Sequence, residues 1–160
     1  MAKFVIIRGQ QNSGKTTTSG LVYSELLKFS EAKHTFNNKT VDSNSLKYDK
    51  ESGDLLDFSS IITINGKSIG IVSAGDSPTD LEKEINSLIN INIDIIICCA
   101  RSRNVEGSSF RMIIDKFSAK NEILKEVWVE HSEEKKDKET KKKQSVSEIV
   151  KIIMDFVKIG

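Results

Sequence analysis

The sequence predicts an α/β protein: a three-layer, mostly parallel sheet with helices on both faces and one antiparallel hairpin strand. Short apolar runs of strand length alternate with segments whose apolar residues repeat at helical spacing, as in chains that build parallel sheets. The first run, 3–8, is continuously apolar at its centre, which is typical of a strand buried on both faces. The dipeptide Asn65-Gly66 separates two further runs, and both residue types tolerate the positive φ of a tight hairpin turn.

The first half of the chain supplies a strand, a helix and this hairpin. After the strand stops at Gly9, the apolar pattern changes to helical spacing from Lys15 onward. The segment 30–57 is polar and weakly periodic, so we expect it to be mobile. The runs at 61–64 and 68–72 flank the Asn-Gly turn and are expected to pair antiparallel. The apolar stripe predicted for the first helix consists of Leu21, Val22, Leu26 and Phe29.

The second half alternates helix and strand. Ser77 before Pro78 is a helix-start signal, and Ser145 with Glu148 resembles a capping box for a closing helix. The run 130–143 holds five acidic and six basic residues, and we interpret it as a solvated loop or helix extension without a partner. Between these points we predict a helix from 78 with stripe Leu81, Ile85, Leu88 and Ile89, a strand at 93–99, a helix with stripe Phe110, Ile113, Ile114 and Phe117, and a strand at 123–130.

Length and composition indicate one domain over 1–160. The 24 basic and 23 acidic residues nearly cancel, so nucleic acid is not the expected main partner. No apolar run approaches a bilayer span and no hydrophobic leader is evident, so no membrane partner and a cytoplasmic location are expected. The two cysteines, Cys98 and Cys99, are neighbours in an apolar run and are interpreted as buried small hydrophobic residues.

The connection between the first strand and helix carries a phosphate-binding motif. It satisfies GxxxxGK[ST] at every defined position, and it stands where that motif requires, between a strand and a helix. Such a loop turns successive amide hydrogens and a helix N-terminus toward one anion, while lysine approaches the β and γ phosphates and the hydroxyl joins the Mg²⁺ shell. The nucleotide-binding candidates are Gly9, Gln10, Gln11, Asn12, Ser13, Gly14, Lys15 and Thr16, with Thr17 as a further contact to the α phosphate.

In this motif and in its strand and helix order, the chain resembles the P-loop NTPase superfamily. Within it, the chain is similar to small-molecule and nucleotide kinases and, less closely, to small GTPases. The resemblance implies a nucleoside triphosphate with Mg²⁺ as ligand. It also implies an acidic magnesium partner at the end of a strand next to the P-loop strand.

Asp76 is the candidate for that acid, because it follows the predicted strand 68–72 and a short loop. The alternative is that Asp76 serves only the helix start before Pro78. Asp94 precedes its apolar run and is therefore expected at the opposite end of the sheet. With Thr16, Asp76 completes the predicted metal site.

Two further comparisons separate kinases from GTPases. The NKxD motif of guanine specificity is missing after 93–100, and Val72 stands where the GTPase DxxG element has aspartate, so ATP is favoured over GTP. Arg101 and Arg103 follow a buried strand, where guanidinium groups can stabilise a transferring phosphoryl group. The alternative for both arginines is an ordinary surface or salt-bridge role.

The leading hypothesis is an ATP-dependent phosphotransferase acting on a small molecule or nucleotide, with Lys15, Asp76, Arg101 and Arg103 as catalytic candidates. The second is a regulatory module in which bound triphosphate orders the segment 37–57 for a protein partner. A motor or DNA-associated ATPase is disfavoured, since a clear catalytic glutamate and a basic binding face are missing. The residues do not identify the phosphate acceptor.

Overall fold

A computed structural model describes residues 2–9, 14–30, 34–36, 39–41, 46–75, 77–101, 103, 105–129 and 135–159. Strands and helices alternate through most of this part of the chain, in the predicted order. The strands are β1 Lys3–Gly9, β2 His34–Phe36, β3 Lys39–Val41, β4 Ser59–Ile64, β5 Lys67–Val72, β6 Ile95–Arg101 and β7 Glu122–Val129. The helices are α1 Lys15–Leu27, α2 Pro78–Asn90, α3 Ser109–Phe117 and α4 Lys135–Ile159.

The strands form one sheet in the order β3-β2-β4-β5-β6-β1-β7. Strands β5, β6, β1 and β7 are parallel neighbours, and β4 joins them antiparallel through β5, so the predicted mostly parallel α/β sheet is confirmed for these five strands. Two short antiparallel strands, β2 and β3, extend the sheet beyond β4. They were not predicted, because strands of three residues are too short to show an alternating pattern.

The β4–β5 hairpin forms at the predicted turn. Asn65 and Gly66 have φ of 52° and 74°, the left-handed conformation that a tight primed turn needs. Pairing runs from Ile64 opposite Lys67 to Ser59 opposite Val72. The residues just before β4 therefore lie beside the residues just after β5, at the edge where the parallel strands end.

The two faces of the sheet bury separate apolar clusters. One cluster joins Val5 and Ile7 of β1 to α1 and α4, and the other joins Phe4 and Ile6 to α2 and α3. Alternate residues of β1 thus point to opposite helical layers, as the pleat requires. Helices cover both faces, in agreement with the predicted three-layer arrangement.

Two details of the helix predictions were wrong. Leu21 and Phe29 are 41% and 54% exposed, and α1 instead buries a face that includes the small residues Thr18, Ser19 and Gly20. Helix α4 begins at Lys135, ten residues before the predicted start at Ser145, because a run rich in lysine and glutamate favours helix and simply continues into the apolar stripe. The expected helix extension within 130–143 is therefore confirmed from Lys135 onward.

The cysteines behave as predicted. Both are fully buried and neither forms a disulfide. Burial, with a smaller contribution from the neighbouring thiol of Cys99, raises the pKa of Cys98, so its sulfur stays a protonated thiol.

Within the described residues, no helix is long and apolar enough to cross a membrane.

Candidate functional site

The connection from β1 leads directly to the amino end of α1. Gly9 ends β1, and Gly14 precedes α1 in a left-handed conformation with φ of 98°, which glycine adopts without a steric penalty. Among the described residues, no side chain caps this end of α1, and Thr18 N donates to Gly14 O at 2.9 Å as the first helical hydrogen bond. Backbone amides at the amino end of a helix are the groups that bind anions in proteins. The candidates Gln10, Gln11, Asn12 and Ser13 lie outside the described residues.

Lys15 is held inside this connection. Its side chain is only 7% exposed, and Nζ donates a 3.0 Å hydrogen bond to the backbone oxygen of Gly9. A buried ammonium group is rare in proteins and needs polar partners. Here the last residue of β1 supplies a carbonyl, so the charge is positioned at the amino end of α1 before any ligand arrives.

Thr16 makes a contact that the sequence did not suggest. Its Oγ1 donates to Oδ1 of Asp57 at 3.0 Å, and the Ser73 hydroxyl lies 3.4 Å from the same carboxylate oxygen. Ser73 in turn joins the two strands, because its Oγ accepts from Phe58 N at 2.7 Å and its N donates to Phe58 O at 3.0 Å. A hydroxyl and a carboxylate, both hard oxygen donors, therefore meet beside α1.

Asp57 could have been found by counting register from the hairpin turn. If Ile64 opposes Lys67 across Asn65-Gly66, the same count sets position 57 opposite position 74. Sequence reasoning searched for acids only after parallel strands. An antiparallel strand presents the residues that precede it at that same edge, and this is why Asp57 was missed.

A cavity of about 620 Å³ lies in front of these groups, within the usual range for small-molecule sites. It is bounded by the start of α1, the segment before β4, the segment after β5, the start of α2, and one residue of α4. Among its described lining residues, three carboxylates face two ammonium groups, an excess of one negative charge. These residues are Gly14, Lys15, Thr16, Thr17, Asp54, Leu55, Asp57, Ser73, Ala74, Gly75, Ser77, Asp80 and Lys142.

Lys142 is the second cation of the cavity and was also missed. It lies in the charged run for which no partner was predicted, and α4 carries it to the amino end of α1. Its Cε lies 4.0 Å from the position that a Cβ on Gly14 would occupy. Only the packing of α4 against α1 distinguishes Lys142 from its neighbours in a lysine-rich run, so no local sequence signal could have identified it.

The segment after β5 is pressed against β6. A Cβ on Gly75 would lie 1.7 Å from the backbone oxygen of Cys99, so only glycine fits at this position. Gly75 and Ser77 both line the cavity, and Ser77 caps α2 by accepting a hydrogen bond from Asp80 N at 3.3 Å. This part of the cavity wall is therefore fixed by backbone contact with a central strand.

Asp76, between these two residues, lies outside the described residues. The expectation that its strand stands next to the P-loop strand was wrong, since β6 lies between β5 and β1. The reason is that α2 returns the chain to a strand that inserts beside β1 instead of adding outside β5. Asp94 does lie at the opposite end of the sheet, where its Oδ2 accepts from Ser68 N at 2.8 Å.

The two arginine candidates flank this region without being among the described residues that line the cavity. Arg101 ends β6 directly beside Gly9 in the parallel pairing, and its backbone N donates to Ser109 Oγ at 2.9 Å. Arg103 is exposed, and its backbone oxygen accepts from Ser108 Oγ at 2.8 Å. Both are therefore near the carboxyl end of β1, and Arg101 is the nearer along the sheet.

A third arginine, which sequence reasoning did not select, has a structural environment. The guanidinium carbon of Arg8 lies 3.5 Å from the ring centre of Phe110 and 4.4 Å from that of Trp128, and NH1 pairs with Glu126 at 2.9 Å. Arg8 points to the α2/α3 face, away from Lys15. We interpret it as a cation–π contact that attaches α3 to β7.

The described residues contain no group of three or more His, Cys, Asp or Glu side chains able to hold a metal by themselves. A metal held by Thr16 and Asp57 would therefore need water and ligand oxygens to complete its shell, as Mg²⁺ sites in proteins usually do.

Comparisons with family models, with curated proteins and with solved structures find no significant match to this chain.

Proposed function

We propose that this chain is a P-loop protein that binds a nucleoside triphosphate with Mg²⁺, ATP in preference to GTP, and transfers the terminal phosphoryl group to a small molecule. The observation that carries the proposal is Lys15, a buried ammonium group held by Gly9 O at the open amino end of α1, beside a cavity of suitable size. This is the geometry that the GxxxxGK[ST] motif requires for a phosphate chain.

Different residues of the chain contact the phosphate oxygens, the metal and the transferring group. The amides of α1 and the Lys15 ammonium bind phosphate oxygens, and Lys142 adds a second cation from α4. Thr16 with Asp57, and with Asp76 as predicted from the sequence, would hold the metal through oxygen atoms. When bound, Mg²⁺ neutralises charge on the β and γ oxygens. Arg101, beside Gly9, is the first candidate to neutralise charge on the transferring group, and Arg103 is the second.

The charge of the cavity supports a metal requirement. Three carboxylates against two ammonium groups give an excess of negative charge among the described lining residues, which repels a bare triphosphate. We therefore expect calorimetry to detect binding of ATP with Mg²⁺, weaker binding of GTP, and a loss of at least about tenfold in affinity, about 1.4 kcal/mol, when EDTA removes the metal. Failure to detect binding of either nucleotide with Mg²⁺ would refute the proposal.

A second candidate function is a nucleotide-dependent regulatory module, favoured by the hydrogen bond between Thr16 and Asp57. A bound Mg²⁺ would use the same hydroxyl, so the Thr16–Asp57 hydrogen bond would couple nucleotide binding to the segment that precedes β4. Leu55 of that segment also packs on α1 at Gly20. Tight binding with negligible ADP formation, in the presence of a metabolite pool, would favour this module, whereas pool-stimulated ADP formation would favour the phosphotransferase.

Replacing Lys142 by alanine is expected to weaken Mg-ATP binding about tenfold, because the cavity loses one of the two ammonium groups among its described lining residues. Lys143→Ala is the matched control, since Lys143 is exposed and is not among the described lining residues. Alanine is a good helix former, so α4 is retained in both variants. Calorimetry should separate the two, and equal affinities for both variants would contradict the role of Lys142.

A further inference from the structure

A second cavity lies between β4 and α2, on the sheet face opposite α1. Its volume is about 550 Å³, sufficient for a small molecule. It follows α2 from Asp80 to Ile91, a distance of about 16 Å at the rise of an α-helix. We call it the β4–α2 groove, and its described lining residues are Ser59, Ser60, Ile61, Asp80, Lys83, Glu84, Ser87, Leu88 and Ile91.

Asp80 connects the groove to the 620 Å³ cavity beside Lys15, because it lines both. It stands in the first turn of α2, where Ser77 Oγ accepts from its backbone N and so positions the residue. Asp80 is exposed, so its carboxylate is accessible from solvent. A molecule in the groove would thus meet, at one end, a carboxylate shared with the site proposed for the triphosphate.

The residues that line the groove also indicate which class of molecule fits it. The side chains of Ser59 and Ser87, with the apolar Ile61, Leu88 and Ile91, suit a molecule with hydroxyl groups and an apolar part. The charged residues among its described lining are Asp80, Glu84 and Lys83, which together give an excess of one negative charge. A phosphate dianion would have one ammonium and two carboxylates as neighbours, and none of the described lining residues is an arginine that could bind it.

We infer that the β4–α2 groove binds the phosphate acceptor, and that the acceptor is an uncharged or cationic hydroxyl compound, such as a sugar, an amino sugar or an amino alcohol, and not a nucleotide. This inference rests on the proposed phosphotransferase function and narrows its substrate. The acceptor oxygen forms a bond to the γ phosphorus, the bond from that phosphorus to the βγ-bridging oxygen breaks, and ADP leaves with the electron pair. The hydroxyl proton passes to the Asp80 carboxylate and then to solvent.

The test measures ADP formation from Mg-ATP with matched pairs of compounds that differ only by a phosphate group. The pairs are uridine and UMP, glucosamine and glucosamine 6-phosphate, and choline and phosphocholine. We expect stimulation by unphosphorylated members only. Asp80→Asn should lower the stimulated rate by about 100-fold or more, and Asp80→Glu should recover part of it. Asp155→Asn, an exposed acid on α4, is the control and should leave the rate unchanged.

The other outcomes of this test contradict either the inference about the acceptor or the proposed function. Stimulation only by the phosphorylated members, or no stimulation by any pair while wild type binds Mg-ATP, would overturn the inference. A stimulated rate that survives Asp80→Asn would also overturn it. Calorimetry in the absence of an acceptor tests the proposed function independently of the inference about the acceptor. If wild type fails to bind Mg-ATP, the proposed function itself fails, and circular dichroism of each variant shows whether its fold is intact.

Discussion

Replacing Lys15 by alanine is expected to lower the affinity for Mg-ATP by about 100-fold or more. The ammonium group is buried and fixed against Gly9 O, so it loses little solvation or freedom when it binds phosphate oxygens. A hydrogen bond from a charged donor contributes about 1.5–3 kcal/mol, and a preorganised lysine at a triphosphate can make more than one. Calorimetry with ATP and Mg²⁺ measures the loss directly.

The matched control is Lys28→Ala, which removes an exposed lysine just after the end of the same helix. We expect wild-type affinity for it, because Lys28 pairs with Glu25 far from the cavity. Lys15→Ala should also keep its thermal unfolding midpoint close to wild type, because it removes a desolvated charge along with one hydrogen bond. Equal nucleotide affinity in Lys15→Ala and wild type would exclude the motif as the binding site.

Gly75→Ala is expected to cost about 3 kcal/mol or more of the free energy of unfolding. The added Cβ would lie 1.7 Å from Cys99 O, a backbone atom of a central strand that cannot move aside. The alternative to unfolding is displacement of the segment after β5, which would also deform the wall of the cavity beside Lys15. Urea unfolding and Mg-ATP calorimetry on the same preparation report both effects.

Gly20→Ala is the appropriate comparison for this prediction. Its Cβ would approach Leu55 Cδ2 at 2.3 Å, also a severe overlap, but that atom is the end of a flexible side chain. Leu55 can change rotamer, so we expect a smaller loss of stability, about 1 kcal/mol. If Gly75→Ala were no less stable than Gly20→Ala, the close approach of the segment after β5 to β6 would be refuted.

Much of the fold could be predicted because its signals are local. The Asn65-Gly66 turn, the Ser77 cap and the apolar runs of β1, β5, β6 and β7 each depend on a few neighbouring residues. The structure forms elements close to the predicted positions. The phosphate motif is likewise a local pattern, and its lysine lies at a helix start as the pattern requires.

The remaining features of the fold and of the site depended on tertiary contacts between elements that are distant in sequence. Sequence alone determined an α/β order of elements, a tight hairpin, and a lysine-bearing loop at the start of a helix. Only tertiary structure decided that β6 inserts between β5 and β1, that Asp57 reaches Thr16, and that Lys142 arrives from α4. The physical reason is that turns, caps and periodicity act within a few residues. Strand order and side-chain convergence depend instead on packing between segments as many as 128 residues apart, the separation of Gly14 and Lys142.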